Sequence, residues 1–270
     1  MSTELVAPPL ENPLSFIARP TPQLRATLTQ YQASLPPADF ADLLALIRSA
    51  FGKYTAKLLE FRAGPERASA LHQMMDKELK AADGLPVTCG RGCSGCCHYE
   101  VEIMRDEAEI LKSVVQQGFP IDRSRLEEQA SRARQGVEWS RFWSPQNRCV
   151  FLGANGACQV YEERPAICRK HLVTTPASAC TTAGAAVAPV QVLMAEILLS
   201  AAVSLYGTAF ASLSKMLLAA QQCDEAAPAS GTRHPPDPHA VRALPPGRTN
   251  PDPRAAEATA HLALRTNFPS

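Results

Sequence analysis

The sequence is short of charge imbalance, of an apolar leader and of any catalytic fingerprint. Lys plus Arg number 27 and Asp plus Glu 26, so the formal net charge of the 270 residues is only +1. That balance gives no support to general nucleic-acid binding, leaving a local basic patch as the only electrostatic route to it. The opening MSTELVAPPLENPL lacks the basic and apolar regions of a secretory signal. The expected compartment is therefore the cytoplasm, where thiols are kept reduced. A membrane span needs about 20 predominantly apolar residues, and none is present. The nearest stretch, ILLSAAVSLYGTAFASLS at 197–214, holds four serines, a threonine and a glycine, and it reads as a buried core helix. No membrane association is expected. A Ser-His-Asp arrangement, a phosphate loop and a dinucleotide fingerprint are all missing. The carboxylates of the charged helices stand at surface spacing, so no acid–base pair is assigned. There is no internal repeat.

What is present is a helical pattern, enough hydrophobic residues (46%) to build a sizeable core, and an unusual concentration of thiol. Residues 1–33 carry several prolines and little periodicity and read as an extended arm. From Asp39 the apolar residues Phe40, Leu43, Leu44, Ile47, Phe51, Tyr54 and Leu58 recur at helical spacing. Gly64 ends this helix and Pro65 opens the next, striped by Leu71, Met75 and Leu79 and stopped at Asp83-Gly84. The short link predicts an antiparallel helical hairpin. YEVEIM at 99–104 alternates briefly, and RDEAEILKSVVQQG reads as a helix closed by Gly118. Asp122 is a plausible N-cap, flanked at staple positions by Ile121 and Leu126, for a charged helix over 123–138. In CVFLGANGACQVY the runs around Asn155-Gly156 signal a β-hairpin, and Pro165 suits the first turn of a short helix carrying Ile167 and Cys168. Residues 189–222 read as one long helix. The last 47 residues hold nine prolines and few large apolar groups and read as a disordered tail. The expectation is thus a mainly α protein: an arm at 1–33, a small helical domain at 34–223 with its core motif at 85–172, and a tail at 224–270.

The chemistry lies in VTCGRGCSGCCHYEVEI, residues 87–103. Cys89, Cys93, Cys96 and Cys97 fall within nine residues. Gly90, Gly92 and Gly95 between them disfavour a helix and favour a tight loop whose N–H groups reach thiolate sulfurs. Adjacent Cα atoms are about 3.8 Å apart, closer than the roughly 4.4 Å an ordinary disulfide needs, so a Cys96–Cys97 bond would be strained. Buried free thiols account for a lone cysteine, not for four among glycines. Metal or iron–sulfur ligation is the reading that fits ligand spacing. Cys149, Cys158 and Cys168 lie in the hairpin segment, and a site clamping the glycine loop to the hairpin would explain both. The alternative for Cys149 and Cys158 is that they face each other across the hairpin as buried thiols.

The motif C-x3-C-x2-C-C, followed by CVFL…GACQVYEERPAICR, resembles the YkgJ-type cysteine-cluster family, the zinc- or iron-chelating CxxCxxCC domain. The resemblance covers about residues 85–172, and Tyr161, Arg164, Pro165, Cys168 and Arg169 make its second half the more specific. It implies Cys89, Cys93, Cys96, Cys97, Cys149, Cys158 and Cys168 as the candidate ligands. That family includes the flagellin lysine N-methylase, similar to an iron–sulfur protein that uses S-adenosylmethionine. The resemblance therefore raises a protein lysine N-methyltransferase as one alternative, with a protein substrate. A zinc-stapled adaptor that recruits a protein partner is another. Four thiolates suit zinc or iron–sulfur alike. Seven candidates exceed one tetrahedral zinc, which favours a cluster such as [4Fe–4S] with supporting thiols, or two metals. Cys89-x3-Cys93-x2-Cys96 also has the spacing of radical S-adenosylmethionine enzymes. Gly95 stands where those enzymes usually place an aromatic residue, and the chain shows no repeated βα units.

Arg164, Arg169, Lys170 and His171 bring positive charge near the presumed site. Arg164 and Arg169 are candidate cofactor-binding residues, holding an anionic ligand or offsetting thiolate charge. Their other reading is as donors to backbone carbonyls. Tyr161 reads as a packed aromatic. His98 reads as a ligand, an outer donor or a solvated cap. Cys180 and Cys223 lack motif support and read as ordinary thiols. His234 and His239 read as part of a spacer in the tail.

Overall fold

In the computed structural model, residues 12–140, 145–182, 184–206 and 209–225 are described. The tail assigned to 224–270 lies outside them from residue 226 on, as do residues 1–11 of the arm. Helices dominate. In chain order they are α1 (Pro22–Ser34), α2 (Pro37–Leu59), α3 (Pro65–Leu79), α4 (Arg105–Gln116), α5 (Arg123–Ser131), α6 (Val137–Ser140), α7 (Ala166–Lys170), α8 (Leu193–Tyr206) and α9 (Leu213–Glu225). Among the described residues a single antiparallel ladder joins β1 (Glu102–Met104) to β2 (Phe210–Ser212), with Ile103 opposite Ala211.

The strongest periodicities are where the helices are. In α2 the buried residues are Phe40, Leu43, Ile47, Ala50 and Leu58, and α3 buries Leu71 and Met75 between its opening Pro65 and Leu79. Gly64, at φ +107°, turns the chain between them in a conformation L side chains rarely adopt. The two helices touch, but the main neighbour of α2 is α8. That helix is apolar nearly all round, and every residue from Ala195 to Val203 is buried, the pattern of a central core helix. Among the described residues no helix is long and apolar enough to cross a membrane.

Three expectations change. The arm is not extended throughout, because 22–34 forms α1. Thr21 caps it by accepting the N–H of Leu24 at 3.1 Å, and Leu24 and Leu28 bury against α2 and α8. Two apolar residues one turn apart suffice once a partner surface exists, and tertiary packing rather than propensity decides. The long helix expected over 189–222 is two helices, α8 and α9, separated by β2. Serine, threonine and glycine around 204–208 have weak helix propensity, and β2 takes up a ladder with β1 instead. The charged helix expected to reach Glu138 stops at Ser131. Arg132 stacks its guanidinium 4.6 Å from the Trp139 ring centroid and donates to Asn147 Oδ1 at 2.7 Å. Gln135 then adopts φ +53° before α6.

The expected hairpin is present in reduced form. Residues 149–160 reverse through Gly156 (φ +74°) with one bridge, Leu152 to Cys158, and no full strands. Gln159 N–H donates to Phe151 O and Gly153 N–H to Ala157 O, both at 2.9 Å. Phe151 and Val160 carry this turn into the core formed by β1, α4, α5 and α9, beside Leu111 and Leu126.

One buried carboxylate ties these parts together. Glu107 on α4 is 2% exposed. Its Oε1 accepts the N–H of Ala166 at 2.7 Å and pairs with His72 Nε2 at 3.1 Å, while Oε2 accepts the N–H of Met104 at 3.1 Å. It thereby joins α3, β1 and the start of α7, the helix that carries Cys168. Removing one partner of a buried polar pair costs about 3–5 kcal/mol. Glu107→Ala is expected to lose stability of that order in urea unfolding, whereas an exposed control such as Glu127→Ala should change it by less than about 0.5 kcal/mol.

Candidate metal centre

Three short segments of backbone build the site. The first, residues 88–93, carries Cys89 and Cys93. Thr88 donates its N–H to Val173 O at 3.0 Å, and Val173 returns its N–H to Cys89 Sγ at 3.3 Å. Gly92 adopts φ +88°, and Cys93 N–H closes a turn onto Gly90 O at 3.1 Å. The second is a 3-10 turn, Gly95–His98, that carries Cys96 and Cys97. The glycines thus give a loop and a tight turn rather than an α-helix. The third is the 149–160 reversal followed by α7, which holds Cys149, Cys158 and Cys168. Cys149 N–H donates to Cys97 O at 2.8 Å, so two segments some fifty residues apart are directly bonded. Cys158 pairs across the turn with Leu152, not with Cys149.

All seven of these cysteines line one cavity of about 270 Å³, and all nine cysteines of the chain carry free thiols. The rest of the lining is largely apolar, with Val101, Phe151, Val160, Ile167 and Leu213. Tyr99, Glu100, Tyr161 and His171 also line it. The thiols share the cavity without converging: among the described residues, no three His, Cys, Asp or Glu side chains stand close enough to hold one ion as they are oriented. Each cysteine turns about a single torsion with three staggered wells, so side-chain rotation is one motion by which these thiols would approach a common metal.

The electrostatics are those of thiols held neutral. Burial raises Cys89, Cys158 and, most strongly, Cys168 above the usual thiol range, and it takes Cys149 from 9.0 to about 11. Cys96 is also raised, first by its hydrogen bond with the Cys97 thiol and then by burial. Two features act the other way. Backbone N–H groups of Val173, Phe151 and Val160 point at Cys89, Cys149 and Cys158 and favour their thiolates. The Arg164 guanidinium favours the thiolates of Cys96 and Cys158. Its Nε is buried and has no hydrogen-bond partner among the described residues. A soft donor set, N–H groups aimed at sulfur and a guanidinium whose buried Nε has no hydrogen-bond partner among the described residues together fit a thiolate-bound metal or cluster.

The charged neighbours divide. Arg164 lines the cavity and stacks 3.8 Å from the Tyr161 ring centroid, and Arg91 from the cysteine loop stacks 4.5 Å from the same ring. Arg169 does not line it. Its donors are committed to Asp76 (2.8 and 3.1 Å), to Arg164 O (2.9 Å) and to Glu162 O. Lys170 is ion-paired with buried Glu196 on α8. Burial, with Lys170 alongside, lowers the pKa of His171, favouring a neutral imidazole rather than the positive charge expected of it. His98 Nδ1 lies 3.1 Å from Ser94 O.

One residue was not signalled. Cys180, 6% exposed, sits on a second 3-10 turn, Ala177–Thr181, that packs on Gly95–His98. A Cβ built at Gly95 would stand 2.5 Å from Cys180 Cβ, so only glycine permits this approach. Burial raises Cys180 also, with Cys93 and Cys96 as its electrostatic neighbours. It lies twelve residues beyond Cys168 with no motif around it. The run of small residues at 177–188 was its only trace in the sequence. Cys223 is exposed on α9 and does not line the cavity.

A pH dependence follows for the metal-free chain. A thiol whose pKa rises on folding contributes stability that is complete below its unfolded value and is lost as pH climbs through its folded value. For Cys149 that window runs from 9.0 to about 11. Thermal melts of metal-free protein should therefore show falling stability across it, whereas metal-loaded protein, its thiolates already formed, should not. No curated protein and no solved structure matches the chain. Residues 88–183, which contain all seven cavity cysteines together with Cys180, match the model of the CxxCxxCC family, described as a "Putative zinc- or iron-chelating domain".

Proposed function

We propose that this chain is a cysteine-cluster metal-binding protein whose thiols hold an iron–sulfur cluster or zinc, with iron–sulfur the favoured occupant. The observation that carries this reading is the meeting of Cys89, Cys93, Cys96 and Cys97 with Cys149, Cys158 and Cys168 around one cavity. Seven thiols exceed the four a single zinc takes, and thiolates are the usual ligands of iron–sulfur clusters. A bound cluster would supply one-electron transfer, whereas zinc would supply a structural staple. In either case the N–H groups of Val173, Phe151 and Val160 orient sulfurs, and Arg164 offsets their charge. A compartment that keeps thiols reduced, as the cytoplasm does, suits this role. Anaerobic purification with elemental analysis and a visible spectrum is the deciding measurement. Brown protein containing iron and sulfide is expected, and a colourless preparation with stoichiometric zinc overturns the iron–sulfur assignment. Cys96→Ser and Cys168→Ser are each expected to lose metal and to lower the melting temperature. Full metal content in Cys168→Ser would remove the hairpin segment from the site.

A second reading, S-adenosylmethionine-dependent methyl transfer to a protein lysine, draws on a different observation. Apolar side chains share the cavity lining with the thiols, and Arg164, whose Nε is buried without a hydrogen-bond partner among the described residues, lines it too. An apolar surface with one convergent charge is the ordinary form of a small-molecule site. Arg164 would take the carboxylate, with Arg169 acting indirectly through its bond to Arg164 O. Calorimetry on anaerobic, metal-replete protein should then register S-adenosylmethionine binding that Arg164→Gln weakens at least tenfold. Absence of binding heat in the wild-type protein counts against this reading.

A further inference from the structure

The eight clustered thiols are not arranged alike about a common point. Cys180 enters from one side, where the Ala177–Thr181 turn abuts Gly95. On that side too lies the 88–93 loop, pinned to the chain that leads into Cys180 by the two bonds between Thr88 or Cys89 and Val173. Cys149 and Cys158 enter from another segment, the 149–160 reversal, which bonds to the carbonyl of Cys97, and Cys168 follows on α7. Electrostatic neighbours divide the same way. Cys89 senses Cys93, Cys96 and Cys180, while Cys168 senses Cys149, Cys158 and Cys96. Cys96 is a neighbour of both groups. Cys96 and Cys97 are consecutive on a 3-10 turn, where three residues complete a revolution, so their side chains leave the backbone about a third of a turn apart.

Resting on the metal-thiolate reading above, we propose that the domain holds two metal centres: one on Cys89, Cys93 and Cys180, the other on Cys149, Cys158 and Cys168, with the adjacent pair Cys96–Cys97 supplying the fourth ligand of each. Each set then has the four sulfurs of a tetrahedral thiolate site. Binding deprotonates the thiols and releases their protons to solvent, with no change of oxidation state. Cys180, outside both sequence motifs, becomes a ligand, and the Gly95–His98 turn becomes the partition between two sites.

The test uses the full chain expressed in zinc-depleted medium with ¹¹³Cd, a probe that reports the division of ligands irrespective of the native metal. Native mass spectrometry should give two cadmium ions per chain, and ¹¹³Cd NMR two resonances. Cys180→Ser and Cys158→Ser should each lower the ratio from two to one and remove different resonances. In the wild-type protein at saturation, alkylation and peptide mapping should show Cys180 reacting far more slowly than in the metal-free protein under the same conditions, while exposed Cys223 reacts alike in both. This measurement does not depend on any variant folding. One cadmium per chain in the wild type, the same resonance lost in both variants, or alkylation of Cys180 at saturation as fast as in the metal-free protein overturns the two-centre arrangement while leaving metal binding intact. A wild-type chain that binds no cadmium overturns the metal-thiolate reading itself.

Discussion

Glu107 is the constraint on which the arrangement turns. It is a buried carboxylate with a His72 ring nitrogen on one oxygen and backbone N–H groups on both. Isolated in an apolar interior, such a group would be costly, so its partners must all be in place together. They come from α3, from the end of β1 and from the first residue of α7. Once they meet, the direction of α7 is set, and with it the position of Cys168 behind the cavity. Arg169, one residue on, completes the same joint from outside by gripping Asp76 of α3 and the carbonyls of Glu162 and Arg164. The arginine is therefore a brace, and its neighbour Arg164 is the one left facing the thiols.

The cavity is a compromise between two demands on sulfur. Folding without metal favours neutral thiols, since burial penalises charge, and this is why the cysteines are raised. Ligation needs thiolates. The backbone donors at Val173, Phe151 and Val160 and the guanidinium of Arg164 narrow the gap without closing it. In the proposed role, a metal would supply the charge compensation the protein withholds. Burial, which in a lone cysteine would mean inertness, would here favour an occupant that can displace protons.

Much of this was legible beforehand, and the reasons are local. The seven motif cysteines, the loop character of the glycine segment, α2, α3 and α4, and the buried nature of α8 follow from spacing, turn chemistry and periodicity within short windows. What sequence missed depended on distant partners. The helix expected to continue from 206 to 212 gives way because β1, over a hundred residues earlier, offers a ladder. Helix α1 exists because α2 and α8 receive Leu24 and Leu28. Cys180 joins the other thiols only because Gly95 lets two turns touch. Arg164 and Arg169, alike in sequence, differ because Asp76 is within reach of one of them.

The bond between Cys97 O and Cys149 N–H closes about fifty residues, 98–148, into a loop whose ends are fixed together by the site. The entropy of closing such a loop grows only with the logarithm of its length, about 0.6 kcal/mol for each doubling. The cavity is therefore nearly indifferent to how much chain is spooled between its halves. The exceptions are the stretches that return to it: Tyr99, Glu100 and Val101, which line it, and the core residues packed with Phe151. At exposed turns of the loop, such as Gln117-Gly118, this architecture has room to lengthen, shorten or acquire a new surface without disturbing the thiols.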